Sequence, residues 1–257
     1  MSITLQAELR ARPPAPETRD PSANTLLAGL QQASREFRPE LEIVNLRAGD
    51  VVIERGVEFP HVYFPLDAVL SMLTVVGDGR AVEFATVGRE GMSGSSETLT
   101  GAGTPMRVIA QVPGHAVRIT ARALRDLTRA SQEALRLLLR YNQSVLVQAA
   151  QIAACNRLHP VEERCARWLL MTHDRVTRDE FMLTQEFLSQ MLGVRRARVN
   201  VAAGILQRAG LIRYSRGRIR LVDRPGLEAA ACECYGVVRA EHDRLASGPV
   251  RPAGEGR

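Results

Sequence analysis

The chain of 257 residues contains no lysine; all 34 of its basic residues are arginine. With 28 acidic residues the net charge is +6 and the isoelectric point about 9.7, a balance that favours an anionic partner. Arginine forks suit phosphate and guanine, although uniform arginine usage is also what a GC-rich coding sequence produces. Other absences narrow the possibilities further. Residues 1–24 hold no apolar run of signal-peptide length, and no stretch is long and apolar enough to cross a membrane. The chain is therefore read as cytoplasmic, with no membrane partner, and its four cysteines as thiols rather than disulfides. No cysteine precedes Cys155, no P-loop, nucleophile elbow or dinucleotide fingerprint occurs, and no internal repeat is visible.

The most informative absence is local. From Gly193 to Val222 there are eight arginines and no Asp or Glu, whereas the average acid content of the chain would put about three acids there. A charged stretch is commonly a solvated face, but solvated faces mix signs. Local grammar gives this stretch a shape. Thr184 can cap a short helix whose first turn holds Gln185 and Glu186 and whose apolar side is Phe187, Leu188, Met191 and Leu192. Gly193 supplies a tight turn. A second helix from about Arg195 to Arg208 repeats Val199, Ala202, Ala203 and Leu206 on one face and gathers Arg195, Arg196, Arg198 and Asn200 at its leading end. Two strands, Leu211–Tyr214 and Arg218–Val222, joined by Ser215, Arg216 and Gly217, read as a wing. The pattern is a winged helix-turn-helix.

Upstream, seven short apolar pieces between Leu41 and Ile119, punctuated by glycine, imply a sandwich or jelly roll, with Gly77–Arg80 as a hairpin turn. A long helix then runs from about Ser131 to Arg157. Counting Leu135 as an a position gives the a/d series Leu135, Leu138, Asn142, Val145, Ala149, Ile152 and Asn156, a short coiled-coil seam, with Leu139, Leu146 and Ala153 left to pack on the roll. Pro160 starts a helix to residue 173, with Trp168, Leu169 and Leu170 as core, and Pro225–Leu245 reads as a last helix.

The segment LTQEFLSQMLGVRRARVNVAAGILQRAGLI, followed by RGRIRLVDRPGLE, resembles the winged helix-turn-helix of the Crp/Fnr family of bacterial transcription regulators. The looser upstream chain fits the same family over residues 25–235. The resemblance implies an α+β fold: a jelly-roll-like β-roll of the cyclic-nucleotide type, a long dimerisation helix and a C-terminal winged helix-turn-helix. The corresponding division is a flexible tail 1–24, a sensor roll 25–125, a dimerisation helix 126–157, a DNA-binding domain 158–235 and an end segment 236–257. The expected function is that of a homodimeric, sequence-specific regulator on near-palindromic double-stranded DNA, controlled by a signal at the roll, with RNA polymerase as a further partner. The competing reading is a constitutive DNA-binding dimer whose roll is a scaffold or protein-docking module without a small-molecule ligand.

Arg196 and Arg198 are expected at base edges, with Asn200 beside them. Thr184, Gln185, Arg195, Arg216 and Arg218 are expected at phosphates. Ala197 stands where family members often carry an acid. In the roll, the stretch 88–101 (GREGMSGSSETLTG) offers glycine N–H groups and hydroxyls for an effector at Gly91, Met92, Ser93, Gly94 and Ser95. The Gly-Glu and Arg-Ser pairs that the resemblance associates with cyclic AMP are missing: Gly91 precedes Met92, Gly94 precedes Ser95 and Arg107 precedes Val108. An iron–sulfur cluster is disfavoured because no N-terminal cysteine cluster exists. No metal site or other cofactor is expected. Cys232 and Cys234, two apart on one helix, would point roughly 200° apart and could not share an ion without unwinding it. They read as small buried residues, with redox modification the lesser alternative. His61 and His115 do not make a cupin metal set, so enzymatic activity is not expected.

Overall fold

The structure, a computed structural model, describes residues 20–246 except 102 and 177. Most of the N-terminal stretch read as a tail, 1–19, and the end of the C-terminal one, 247–257, lie outside the described residues. Residues 20–24 are ordered. Asp20 caps a 3-10 turn at Pro21–Ala23, and Asn24 is buried, donating from Nδ2 to the carbonyls of Pro65 and Gly91 and capping helix α1 (Thr25–Ala33) through Leu27 N–H. A side chain that satisfies three backbone groups at once holds the start of the fold in place.

Seven strands follow: β1 (Glu42–Leu46), β2 (Val51–Ile53), β3 (His61–Pro65), β4 (Val69–Val75), β5 (Ala81–Val87), β6 (Met106–Val112) and β7 (Gly114–Thr120). They make two antiparallel sheets, ordered β1-β7-β3 and β2-β6-β4-β5. Each expected apolar piece is a strand, because alternating burial needs only period-two spacing. β3 and β5 show that alternation; β4 is buried along its first five residues. The reason is that the four-stranded sheet is covered on both faces. Leu70, Met72, Ala85, Val108 and Ala110 fill the roll interior. Val69, Leu73, Ala81, Ile109 and Val112 join the core of the C-terminal helices on the other side. The two expected domains therefore share one hydrophobic cluster.

Helix α2 (Ser95–Thr100) lies within the stretch expected as a loop, and α3 (Ala121–Ala130) is capped by Thr120. The long helix α4 (Gln132–Leu158) starts where the Ser131 hydroxyl accepts from Ala134 N–H at 3.2 Å. The helix expected to dimerise is thus separated from α3 at Ser131 and does not begin at 126. Its faces also correct the sequence reading. Leu138 and Ile152 are buried within the chain, Val145 packs on the roll, and Leu139 and Leu146 are 53 % and 63 % exposed. Polar and aromatic residues direct this docking: Tyr141 donates to Met92 O, and Gln148 pairs with the backbone of Thr86 through both halves of its amide. A hydrophobic count cannot register an amide that bonds like a strand.

Helix α5 (Val161–His173) lies against the outer face of the sheet. Trp168 Nε1 donates to Glu83 Oε1 at 2.8 Å, and a buried chain runs from Ser71 through Gln111 to Thr172. Beyond it come β8 (Glu180–Met182), α6 (Gln185–Leu192), α7 (Arg196–Arg208), β9 (Ile212–Ser215) and β10 (Arg218–Leu221). The wing is a three-stranded sheet ordered β8-β10-β9, one strand more than expected. The single expected last helix is two, α8 (Arg224–Ala229) and α9 (Cys234–Ala246), with a break between them.

Candidate DNA-binding face and roll loop

The turn of the helix-turn-helix is made by local chemistry. Thr184 Oγ1 accepts from Phe187 N–H at 3.1 Å, and Gly193 ends α6 at φ +63°, a conformation that a side chain would strain. Helix α7 turns Val199, Ala202, Ala203 and Leu206 into the core. Arg195 is its N-cap residue, and Arg196, Ala197, Arg198, Asn200 and Val201 project from its leading half, all exposed.

The wing turn has two residues. Arg216 and Gly217 both have positive φ (49° and 73°), and Ser215 pairs with Arg218. This is the type I′ pattern that matches strand twist. Its position is tied to α6, since Leu183 N–H donates to Gly217 O and the Tyr214 hydroxyl to Leu183 O. A groove of about 400 Å³ results, lined by Thr184, Gln185, Arg196, Tyr214, Arg216 and Gly217. Six of the eight residues expected at DNA thus fall into two groups: Thr184, Gln185, Arg196 and Arg216 share one concavity, and Arg198 lies outside it on α7 with Asn200. Arg195 precedes them on the same helix end. Arg218 is not among the residues lining that groove, and its Nη1 meets Glu180 Oε1 at 3.2 Å. That ion pair was missed because Glu180 precedes the acid-free window and reaches it only through β8–β10 pairing.

The roll loop is different in kind. The five expected effector residues are together, but they are packed against α4. A Cβ on Gly91 would fall 2.5 Å from the Tyr141 ring. Met92 is fully buried, Ser95 Oγ donates to Asn142 Oδ1 at 2.6 Å, and Gly94 sits at φ +75° against Phe59. Ser93 is paired through its backbone to Tyr63, while its hydroxyl is buried without a partner. Arg107, the next cation after the loop, is paired with Glu54.

The same loop touches the DNA-binding half directly. Glu90 Oε1 accepts from Arg175 Nε at 2.7 Å, with the Arg175 side chain almost fully buried over Gly88. Burial, the largest single influence, would raise the Glu90 carboxyl, but Arg175, His242 and the loop's own backbone N–H groups together outweigh it and hold the carboxyl below the ordinary carboxylate value. Arg175 also donates to Met171 O and approaches His242 Nδ1 at 3.3 Å. Neither Glu90 nor Arg175 carries a motif; only the tertiary structure brings them together.

Two family models match this chain: a cyclic nucleotide-binding domain over residues 43–131 and a Crp-like helix-turn-helix domain over residues 163–230. Together they span more than half of it. Among solved structures, FixK2 from Bradyrhizobium japonicum is similar with a TM-score of 0.64 at 16% identity, covering 75% of this chain and 98% of that one. A CRP-family transcriptional regulator from Thermus thermophilus is similar at 0.60 and 22% identity, covering 74% and 96%. The c-di-GMP-responsive global regulator CLP of Xanthomonas campestris is similar at 0.57 and 16%, covering 76% and 98%. At these identities the likeness is one of fold. No curated protein sequence matches the chain.

Proposed function

The chain belongs to the Crp/Fnr family of transcription regulators, DNA-binding proteins rather than enzymes, and we propose that it works as a homodimer on a near-palindromic site under the control of a signal received at the roll. The observation that carries the DNA reading is the exposed, acid-free leading end of α7 beside the wing groove. In this reading Arg196 and Arg198 meet base edges, most simply guanine O6 and N7, with Asn200 next to them. Thr184, Gln185, Arg195, Arg216 and Arg218 hold phosphates. Two such helices related by a two-fold axis would enter major grooves about 34 Å apart.

The dimer reading rests on the apolar stripe that α4 leaves uncovered. Leu135, Leu139, Asn142, Leu146, Ala149, Ala153 and Asn156 are spaced alternately by four and three, and Leu139, Leu146 and Ala153 are exposed. This seam keeps both asparagines of the sequence reading and replaces the three positions, Leu138, Val145 and Ile152, that the rest of the chain covers. Control from the roll is supported by two contacts. The loop bonds α4 at Tyr141 and Asn142, beside that stripe, and bonds the DNA-binding half at Arg175. A ligand that separates Glu90 from Arg175, or Tyr141 from Met92, would act on both the seam and the reading head. With the cyclic AMP pairs absent and the loop filled by Tyr141, the effector is proposed to be something other than cyclic AMP.

The test is selection of bound sites from random DNA by the full chain, with and without candidate nucleotides. A two-fold symmetric consensus is expected. Equal recovery of asymmetric sites would remove the dimer reading. In parallel, Leu146→Glu should give a folded monomer by sedimentation, with wild type a dimer. A wild-type monomer at micromolar concentration would defeat the seam.

A further inference from the structure

Four side chains that the DNA reading does not use converge where α4 hands over to α5. Cys155 and His159 are one turn apart at the end of α4, Cys232 lies in the break between α8 and α9, and Cys234 is the first residue of α9. Their ligating atoms all lie within 4.8 Å of one another, and the three cysteines are buried. Cys155 Sγ is 3.5 Å from Cys232 Sγ, and Cys234 Sγ is 3.6 Å from His159 Nδ1. The expectation that Cys232 and Cys234 diverge fails on its premise: Cys232 precedes α9 rather than lying on it, so the unwound backbone lets both sulfurs turn the same way.

We propose that Cys155, His159, Cys232 and Cys234 form a tetrahedral site for one zinc ion that staples the C-terminal helix to the junction between the long helix and the DNA-binding half. Dimensions support a single ion. With Zn–S near 2.3 Å, the edge of a tetrahedron is about 3.8 Å, close to the two short separations here. Edges this short surround one ion and not a polynuclear cluster. Three soft sulfurs with one imidazole is a donor set of structural zinc.

Two further observations point to a ligand. His159 turns Nδ1 to the sulfurs while Nε2 lies 3.2 Å from Glu233 Oε1, the carboxylate–histidine arrangement that orients a metal-bound imidazole. The buried guanidinium Nε atoms of Arg164 and Arg167 have no hydrogen-bond partner, and both side chains interact with the cysteine group. Zinc with three thiolates carries a charge of −1, and with the Glu233 carboxylate at the imidazole the group carries −2, which these two buried cations would balance. On binding, the three thiols release their protons to solvent, His159 coordinates as neutral imidazole, and its remaining N–H is donated to Glu233.

The experiment uses the untagged full chain, expressed with zinc and purified reduced without chelator. Elemental analysis should find about one zinc per chain. Replacement by Co²⁺ should give a thiolate-to-cobalt charge-transfer band together with the visible bands of a tetrahedral ion. Cys155→Ser and Cys234→Ser should lose the metal. Cys165→Ser, a buried cysteine outside the cluster, should retain it, and His159→Cys should retain it with a stronger charge-transfer band. The wild-type cobalt spectrum decides the matter even if a cysteine variant does not fold. The proposal is overturned if reduced wild type binds neither ion, if zinc persists in both Cys155→Ser and Cys234→Ser, or if peptide mapping of metal-free protein finds a Cys155–Cys232 disulfide.

Discussion

The reading face and the roll loop are both short polar stretches that suit phosphate, yet they present their groups in opposite ways. On α7 and the wing turn the arginines stand in solvent with their forks directed outwards. In the roll loop the glycines and serines are already engaged: Tyr141 covers Gly91, Asn142 takes the Ser95 hydroxyl, and Arg175 takes Glu90. A cationic face can be read from composition because charges resist burial and so remain available. A glycine-rich loop cannot, because the backbone it exposes is as open to a side chain of the same protein as to a ligand.

The largest expected effect breaks the loop side. Glu90→Gln leaves Arg175 buried without its counter-charge and should destabilise the fold by about 3–5 kcal/mol in urea unfolding. It should also change the acid limb. The folded Glu90 carboxyl lies below its ordinary value, so its contribution is present above the unfolded value and is lost as pH falls through the folded one. Wild type should therefore lose stability on acidification more steeply than Glu90→Gln, and superimposable slopes would show that the pair does not couple the halves. Gly91→Ala comes next. Its methyl would meet the Tyr141 ring, at a cost of about 1–3 kcal/mol. Thermal melts of Gly91→Ala with and without Tyr141→Ala should show non-additivity, whereas additive losses would mean that the ring does not fill the loop.

On the reading face, Arg196→Ala should cost about 1–3 kcal/mol per half-site and relax preference at one base pair, measured by titration against the selected site and its single-base variants. Weakening that is uniform over all duplexes would reassign Arg196 to phosphate, a role its place in the wing groove also permits. The smallest effect is expected at Arg218. Its removal should lower the slope of log affinity against log salt by about one without altering preference. An unchanged slope would mean that Glu180 keeps this cation from the phosphate.

The winged helix-turn-helix was legible because its signals are local: the Thr184 cap, the Gly193 turn, the spacing from Val199 to Leu206 and the acid-free window are all read within a few residues of one another. So were the seven strands, whose alternation depends only on the pleat. The uncovered side of α4 was misread because the helix carries apolar residues on more than one side, and one step of rotation exchanges Leu138 for Leu139. Gln148 and Tyr141, which choose the rotation, do so through bonds to Thr86 and Met92 far away in the chain.

The amino-acid order by itself determined most of the helices, turns and strands, though not α2, β8 or the break between α8 and α9, and where positive charge would gather, since capping, periodicity and charge act between near neighbours. Only the tertiary structure decided which side of the long helix stays open, that the C-terminal half closes on the outer sheet of the roll through Trp168 and Arg175, and that Cys155 and His159 meet Cys232 and Cys234. Those outcomes depend on contacts between residues tens of positions apart, and no local rule specifies which distant partner a buried side chain will find.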